Sequence, residues 1–592
     1  MKCTSVSPPA GGAPLHERNE MISARSASAA PALLVLAMLA SGCSGEKNIP
    51  DYAATYRRLA SSAVRLCVQM EPLRGSRLGL ASADSLLFSY SKEETAGAVK
   101  RLRSLEIQFS KIPAGRLSAG DVDRATVIIN WLRGTRFAFE VLGCNRSNPL
   151  LYAWAAEEAL WVIPSRIVPP YDGELEAYRK RILRIPDLLA SGAANLENPA
   201  DWHVRHAIER LDTLAASLPR LSLLVETRYG TRIDRELEAA GEAIRSFREY
   251  ASSMLLPSSY GRLIIGSENL ARIFQYDEMI DADPNGLVVE AEKRIERITS
   301  EKASLAKRIE YGKKDGAREN GPGGGSPPSN ETFEARVARL IEELEAAKGS
   351  RTLPGNPAIA EATLAYPAAP RYISRSAKSP CLSLPPPGSA AMATIASSIS
   401  TPPCRIFLAL PADARRENDA ALRFALLCAV PRMLDPDELR CAAKDTVSAV
   451  FSSATFREGW RYLVFQELSQ EIKKNDPELY LLVLDDWLKQ YARLIVVLAL
   501  HAGTMTSEAA TQYLVDTLAL DRGAAAREVL AASVSPDIAY PAISMILVDE
   551  MIKNVSYVFG YDKPQQELAK ILLASRDVPL SMILPRTRQD QN

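Results

Sequence analysis

Across residues 52–311 apolar side chains recur at helical spacing with few interruptions, as Ile182, Ile185 and Leu189 do after Tyr178-Arg179-Lys180. A chain patterned in this way is predicted to fold as a succession of long amphipathic helices. Pro186 lacks an amide donor and is expected to kink or restart the helix it interrupts. The pattern stops at Gly321-Pro322-Gly323-Gly324-Gly325-Ser326-Pro327-Pro328, where backbone freedom and missing donors rule out regular structure. A charged helix is expected over 331–348, with Phe333, Val337, Leu340, Ile341 and Leu344 on one face. Short apolar runs among prolines and serines between about 351 and 411 predict a small strand region. Helices resume near Ala412 and continue to the end. The expected fold class is therefore mainly α (α+β), multi-helical with a small β region. It is divided into an N-terminal helical region (43–311), a flexible linker (312–330) and a C-terminal region (331–592). No internal repeat of solenoid period is present.

The N-terminus carries a different signal. Arg25 precedes an apolar run over residues 29–40 with a Leu33-Leu34-Val35-Leu36 core, and the run ends in Leu39-Ala40-Ser41-Gly42-Cys43. The run is too short to span a bilayer, which takes about 20 residues. It has the parts of a secretory signal and resembles a bacterial lipoprotein signal over 1–42, with Met21 as an alternative start. Ala40 stands where leucine is commoner. The resemblance implies cleavage before Cys43 and acylation of its thiol with diacylglycerol and fatty-acyl (palmitate-type) chains, giving a stable anchor in the lipid bilayer. Ser44 in the next position implies the outer membrane, facing the periplasm.

The whole chain holds 71 basic and 71 acidic residues. Loss of 1–42 removes Lys2, Arg18, Arg25, Glu17 and Glu20 and leaves 68 against 69, a net charge of −1. A near-neutral chain without a basic tract lacks the electrostatic footprint of a nucleic-acid binder. Beyond the leader and Cys43 there are six cysteines and no CxxC pair. Cys381 with Cys404 and Cys428 with Cys441 are candidate disulfides, and buried free thiols are an equal alternative.

Glu458-Gly459-Trp460 lies in a predicted helix. Other short segments surround it in a recognisable order: Asn148-Pro149-Leu150-Leu151-Tyr152, Ile264-Ile265-Gly266-Ser267-Glu268 followed by Phe274, His501-Ala502-Gly503 and Val578-Pro579-Leu580. Over roughly 104–583 the chain resembles the bacterial domain-of-unknown-function family 885, whose members look like helical zinc metallopeptidases. The resemblance implies a gluzincin-like, metallopeptidase-like fold. In that family an HEAxPGH segment supplies histidine ligands and a general base, and the EGW glutamate completes the zinc site. Here the corresponding segment is Leu427-Cys428-Ala429-Val430-Pro431-Arg432-Met433. Leucine cannot coordinate a metal, a thioether is a weak donor for zinc, and Cys428 in an apolar run is expected to be an inert core thiol. Ala531 and Ala532 stand where the family has an arginine and a tyrosine.

The expectation is that the zinc site is lost and no cofactor remains. Leu427, Cys428, Met433, Glu458, Gly459 and Trp460 would mark a vestigial cleft, with Glu458 and His501 as vestigial catalytic groups and Arg457 or Arg461 as the partner of Glu458. His203 and His206 are three apart and can share a helix face, although a metal site needs three or four ligands. No GxSxG elbow is present. Three functions remain open: a non-catalytic lipoprotein that binds a peptide or an envelope protein, a hydrolase with a non-standard site, and a structural envelope component.

Overall fold

A computed structural model describes residues 51–166, 170–281, 283–316, 363–365, 394–397, 406–409, 446–559, 564–575 and 578–588. The chain divides into two units, Met1–Asp51 and Tyr52–Asn592. The second unit begins with α1 (Tyr52–Met70), α2 (Pro72–Arg77), α3 (Lys92–Phe109), α4 (Ala119–Glu140), α5 (Cys144–Ser147), α6 (Pro149–Trp161), α7 (Glu174–Ile182) and α8 (Ile185–Asn195). It continues with α9 (Asp201–Tyr229), α10 (Asp234–Tyr250), α11 (Ser267–Glu278) and α12 (Pro284–Gly316). Three short strands follow, β1 (Thr363–Ala365), β2 (Thr394–Ser397) and β3 (Ile406–Ala409). They form a sheet of order β1-β3-β2, in which β1 is parallel and β2 antiparallel to β3. All three lie in the segment where strands are expected. The remainder is helical: α13 (Thr446–Val450), α14 (Ala454–Asn475), α15 (Pro477–Ala502), α16 (Ser507–Leu518), α17 (Arg522–Val534), α18 (Tyr540–Phe559), α19 (Pro564–Ala574) and α20 (Leu580–Ile583). The fold is large and multi-helical, as the apolar periodicity requires.

Local chemistry sets the helix ends. Asn148 accepts from the amide of Leu150 at 3.1 Å with Pro149 in the first turn, so the Asn148-Pro149 pair is a helix start that leads into the buried Leu150, Leu151 and Tyr152. Pro186 sits in the first turn of α8, one break after α7, and restarts the helix rather than kinking it. Asp476 caps α15 through the amide of Leu479 at 3.0 Å, and Gly503 closes it at φ 72°, a left-handed conformation that favours glycine.

The α15 helix is apolar on nearly all sides and is buried over most of its length, which makes it the axis of the C-terminal half. The long α12 packs along it, α14 packs on α18, and α17 crosses the other side of α15. Among the described residues no single helix is long and apolar enough to cross a membrane. Arg522–Val534 and Pro536–Val558 together meet the length and composition required, but they meet at a 111° bend.

Candidate functional site

Cys43, Leu427, Cys428 and Met433, like the proposed cysteine pairs and most of the linker, lie outside the described residues. The EGW segment is described, and it is built from the start of α14. Ser453 caps this helix by accepting from the amide of Phe456 at 3.0 Å. The same hydroxyl donates to Oε2 of Glu278 at 2.5 Å. The Glu278 carboxylate, fully buried at the end of α11, also accepts from the amides of Ala454 (2.9 Å) and Thr455 (3.3 Å) and from the hydroxyl of Thr455 (2.7 Å). An anion at a helix N-terminus is favoured by the unpaired amides and by the helix dipole. Glu278 therefore fixes the helix that carries Glu458. Its backbone carbonyl also accepts from Ser581 at 2.6 Å, which ties α20 to the same point.

One turn further on, the three motif residues separate. Gly459 is required by close approach: a Cβ there would lie 2.5 Å from Cδ1 of Leu580 and 3.1 Å from Cγ2 of Val548. Trp460 is 2% exposed and belongs to the core. Glu458 is half-buried and accepts from Nη1 of Arg461 at 2.7 Å, whereas Arg457 donates to the Ser452 hydroxyl at 2.6 Å. Arg461, one of the two arginines expected beside Glu458, forms an ion pair with it.

Glu458 also acts electrostatically on Arg493 of α15. Arg493 is buried and grips Glu528 of α17 with two bonds of 2.8 and 2.9 Å, and Lys489 adds a third at 2.8 Å. Burial alone would raise the Glu528 carboxyl, but Arg493 and Lys489 outweigh it and hold the group down to about 2. The Lys489 ammonium is itself pushed below its ordinary value by burial and by Arg493. This polar row joins α14, α15 and α17.

Two of the three histidines beyond the leader, His203 and His501, converge on the end of α17. His501 is fully buried, and its Nε2 lies 3.0 Å from the carbonyl of Ala532. Nε2 therefore carries the ring proton, and Nδ1 is buried with no hydrogen-bond partner. Burial pushes the His501 imidazole down to about 4, opposed in part by that carbonyl. His203 Nε2 is 3.1 Å from the Ser533 hydroxyl, which itself donates to the Leu530 carbonyl at 2.8 Å. Burial, then His206 and His501, push His203 down to about 3. His206 turns away to Glu209 at 2.9 Å. Among the described residues no group of three His, Cys, Asp or Glu side chains is placed to hold a metal ion.

Sequence reasoning did not find Glu278, Asp277 or the Arg493–Glu528 pair. Asp277 accepts from the buried Tyr540 hydroxyl at 3.0 Å. Nor did it single out Cys144, which is disulfide-bonded, while Cys67 is a buried free thiol whose pKa burial raises. Glu278, Asp277 and Arg493 pair with residues remote in the chain, and no local spacing marks them.

A family described as bacterial proteins of unknown function, DUF885, matches residues 72–370, half of the chain. The chain belongs to the DUF885 family. The matched span begins before residue 104 and ends before α14, so in this DUF885 member the EGW segment lies outside it. Two solved structures share the fold. One is a presumptive lipoprotein of unknown function from Shewanella oneidensis, with a TM-score of 0.63 and 15% identity over 90% of this chain and 100% of that one. The other is a presumptive lipoprotein from Colwellia psychrerythraea, with the same score and identity over 90% of this chain and 98% of its own. No curated protein matches the chain.

Proposed function

We propose that this DUF885 member is a lipoprotein of the bacterial envelope, anchored through acylated Cys43 in the outer membrane and facing the periplasm. In this reading its metallopeptidase-like scaffold performs no zinc chemistry and binds a peptide or an envelope protein. The observation that carries the reading is the Arg461–Glu458 ion pair. A guanidinium 2.7 Å from the one surviving member of the expected ligand set partly neutralises its carboxylate, and its charge opposes a dication at that point. The rest of the expected set does not fit zinc either, because Leu427 has no donor atom and Met433 offers only a thioether. Gly459 and Trp460 have packing roles that persist without catalysis. The description of both structural relatives as presumptive lipoproteins supports the anchor.

The test is metal analysis of protein produced without residues 1–42, together with a peptide-hydrolysis assay. The expected result is less than about one zinc per five chains and no turnover. Stoichiometric zinc with hydrolysis abolished by Glu458→Ala would overturn the reading. For the binding role, photo-crosslinkers on exposed positions of α14 and α17 are expected to trap a peptide or protein. A blank result at all of them would favour a structural component.

A further inference from the structure

We infer that the exposed face formed by α1 and α3 rests on an anionic lipid surface. The α1 helix contains no acidic residue and exposes Arg57, Arg58 and Arg65. The α3 helix runs antiparallel beside it: the rings of Tyr56 and Phe109 meet at 6.4 Å, and further along Arg101 donates to Gln69 at 2.8 Å. It adds the exposed Lys100 and Arg101, with Lys111 immediately beyond its end.

The carboxylates of this pair of helices are largely engaged elsewhere. Glu106 is bound by Arg133 at 2.7 Å and also by Arg136, and Glu94 accepts from the amide and hydroxyl of Ser89. Glu93 is exposed at the far end of α3 and Asp51 at the start of α1. Arg65 and Arg101 donate to the neutral oxygens of Ser62 and Gln69, and among the described residues none of these six cations holds a carboxylate. A chain of net charge −1 after the leader therefore concentrates six cations on one face. In their midst, on the stripe of Lys100, Ser104 and Lys111, Ile107 is 51% exposed. Basic side chains around an exposed apolar one are the composition of a membrane-contacting surface.

The choice of a bilayer over another partner comes from the tether. This part of the argument rests on the lipid-anchor reading. Only residues 44–51 separate Cys43 from the start of α1, so even a fully extended chain keeps Tyr52 within roughly 30 Å of the anchor. The basic face opens on the first turns of α1, so the tether keeps it within about three to four Debye lengths of the bilayer, where it repeatedly meets the surface field of anionic lipid.

Because 52–592 is a unit distinct from 1–51, the chain from Ser44 onward, without acyl groups, serves as the probe. It is sedimented with vesicles of phosphatidylcholine alone and with about one quarter phosphatidylglycerol. The expected result is binding to the anionic vesicles only, lost between about 0.1 and about 0.5 M salt. The surface triple variant Arg57→Glu/Arg58→Glu/Lys111→Glu should weaken binding about tenfold or more at an unchanged circular dichroism spectrum. Equal binding to both vesicles, no binding, an unaffected triple variant, or preference for polyglutamate over vesicles would each overturn the inference. Acylation of Cys43 is read separately, by mass spectrometry of membrane-extracted protein, so failure of the anchor and failure of the face are distinguishable.

Discussion

Two glutamates act on the first turns of α14, and their surroundings differ sharply. Glu278 is fully buried and accepts four hydrogen bonds from Ser453, Ala454 and Thr455, all at the helix start. Glu458, one turn along, is half-buried and forms an ion pair with Arg461 at 2.7 Å. The glutamate that a sequence motif singles out is partly exposed, and the one that organises the start of the helix is fully buried and belongs to no motif. The position of α14 is thus fixed from α11, independently of the acid in its EGW segment.

The contrast breaks if the two glutamates behave alike. Glu278→Ala would strand four buried donors and should cost about 3–5 kcal/mol in chemical denaturation, with Glu278→Gln recovering part of the loss. Acid should come next. His203 and His501 are held neutral, at about 3 and about 4, against an ordinary value near 6.5. In the unfolded chain they bind protons below that value while the native rings do not, so their stabilisation is complete above about pH 6.5 and falls as pH drops toward 4. Each is expected to lose about 2 kcal/mol by pH 5, read from denaturation midpoints across that window, and His501→Asn should flatten the slope. Gly459→Ala should cost about 1–3 kcal/mol by overpacking, with Leu580→Ala in the same chain relieving much of it. The smallest effect belongs to Glu458→Ala, expected within about 1 kcal/mol of wild type. A Glu458→Ala loss as large as that of Glu278→Ala would erase the distinction.

Helices were legible because their information is local: the apolar period marked them and Pro186 marked a restart, while the capping by Asn148 and the closure at Gly503 were visible only in the structure. The candidate site was legible only in outline. The reason for Gly459 is Leu580, and the reason for the geometry of α14 is Glu278, both far away in sequence, and a burial-driven pairing such as Arg493 with Glu528 has no local spacing to betray it. Family resemblance located the EGW turn and could not say that Trp460 faces the core or that Arg461 had taken the carboxylate.

The packing of α12 along α15 has a mechanical consequence. Residues 317–445 separate the two halves in sequence, yet both sides of that stretch are stitched by contacts outside it: Glu278 with Ser453 and Thr455, Asp277 with Tyr540, Arg294 with Tyr491 at 3.1 Å, and Asp123 with Arg586 at 2.7 Å. A chain severed anywhere in that interval would be two molecules by covalent count and one by cohesion. The contacts just named therefore join the two halves independently of the covalent link between them.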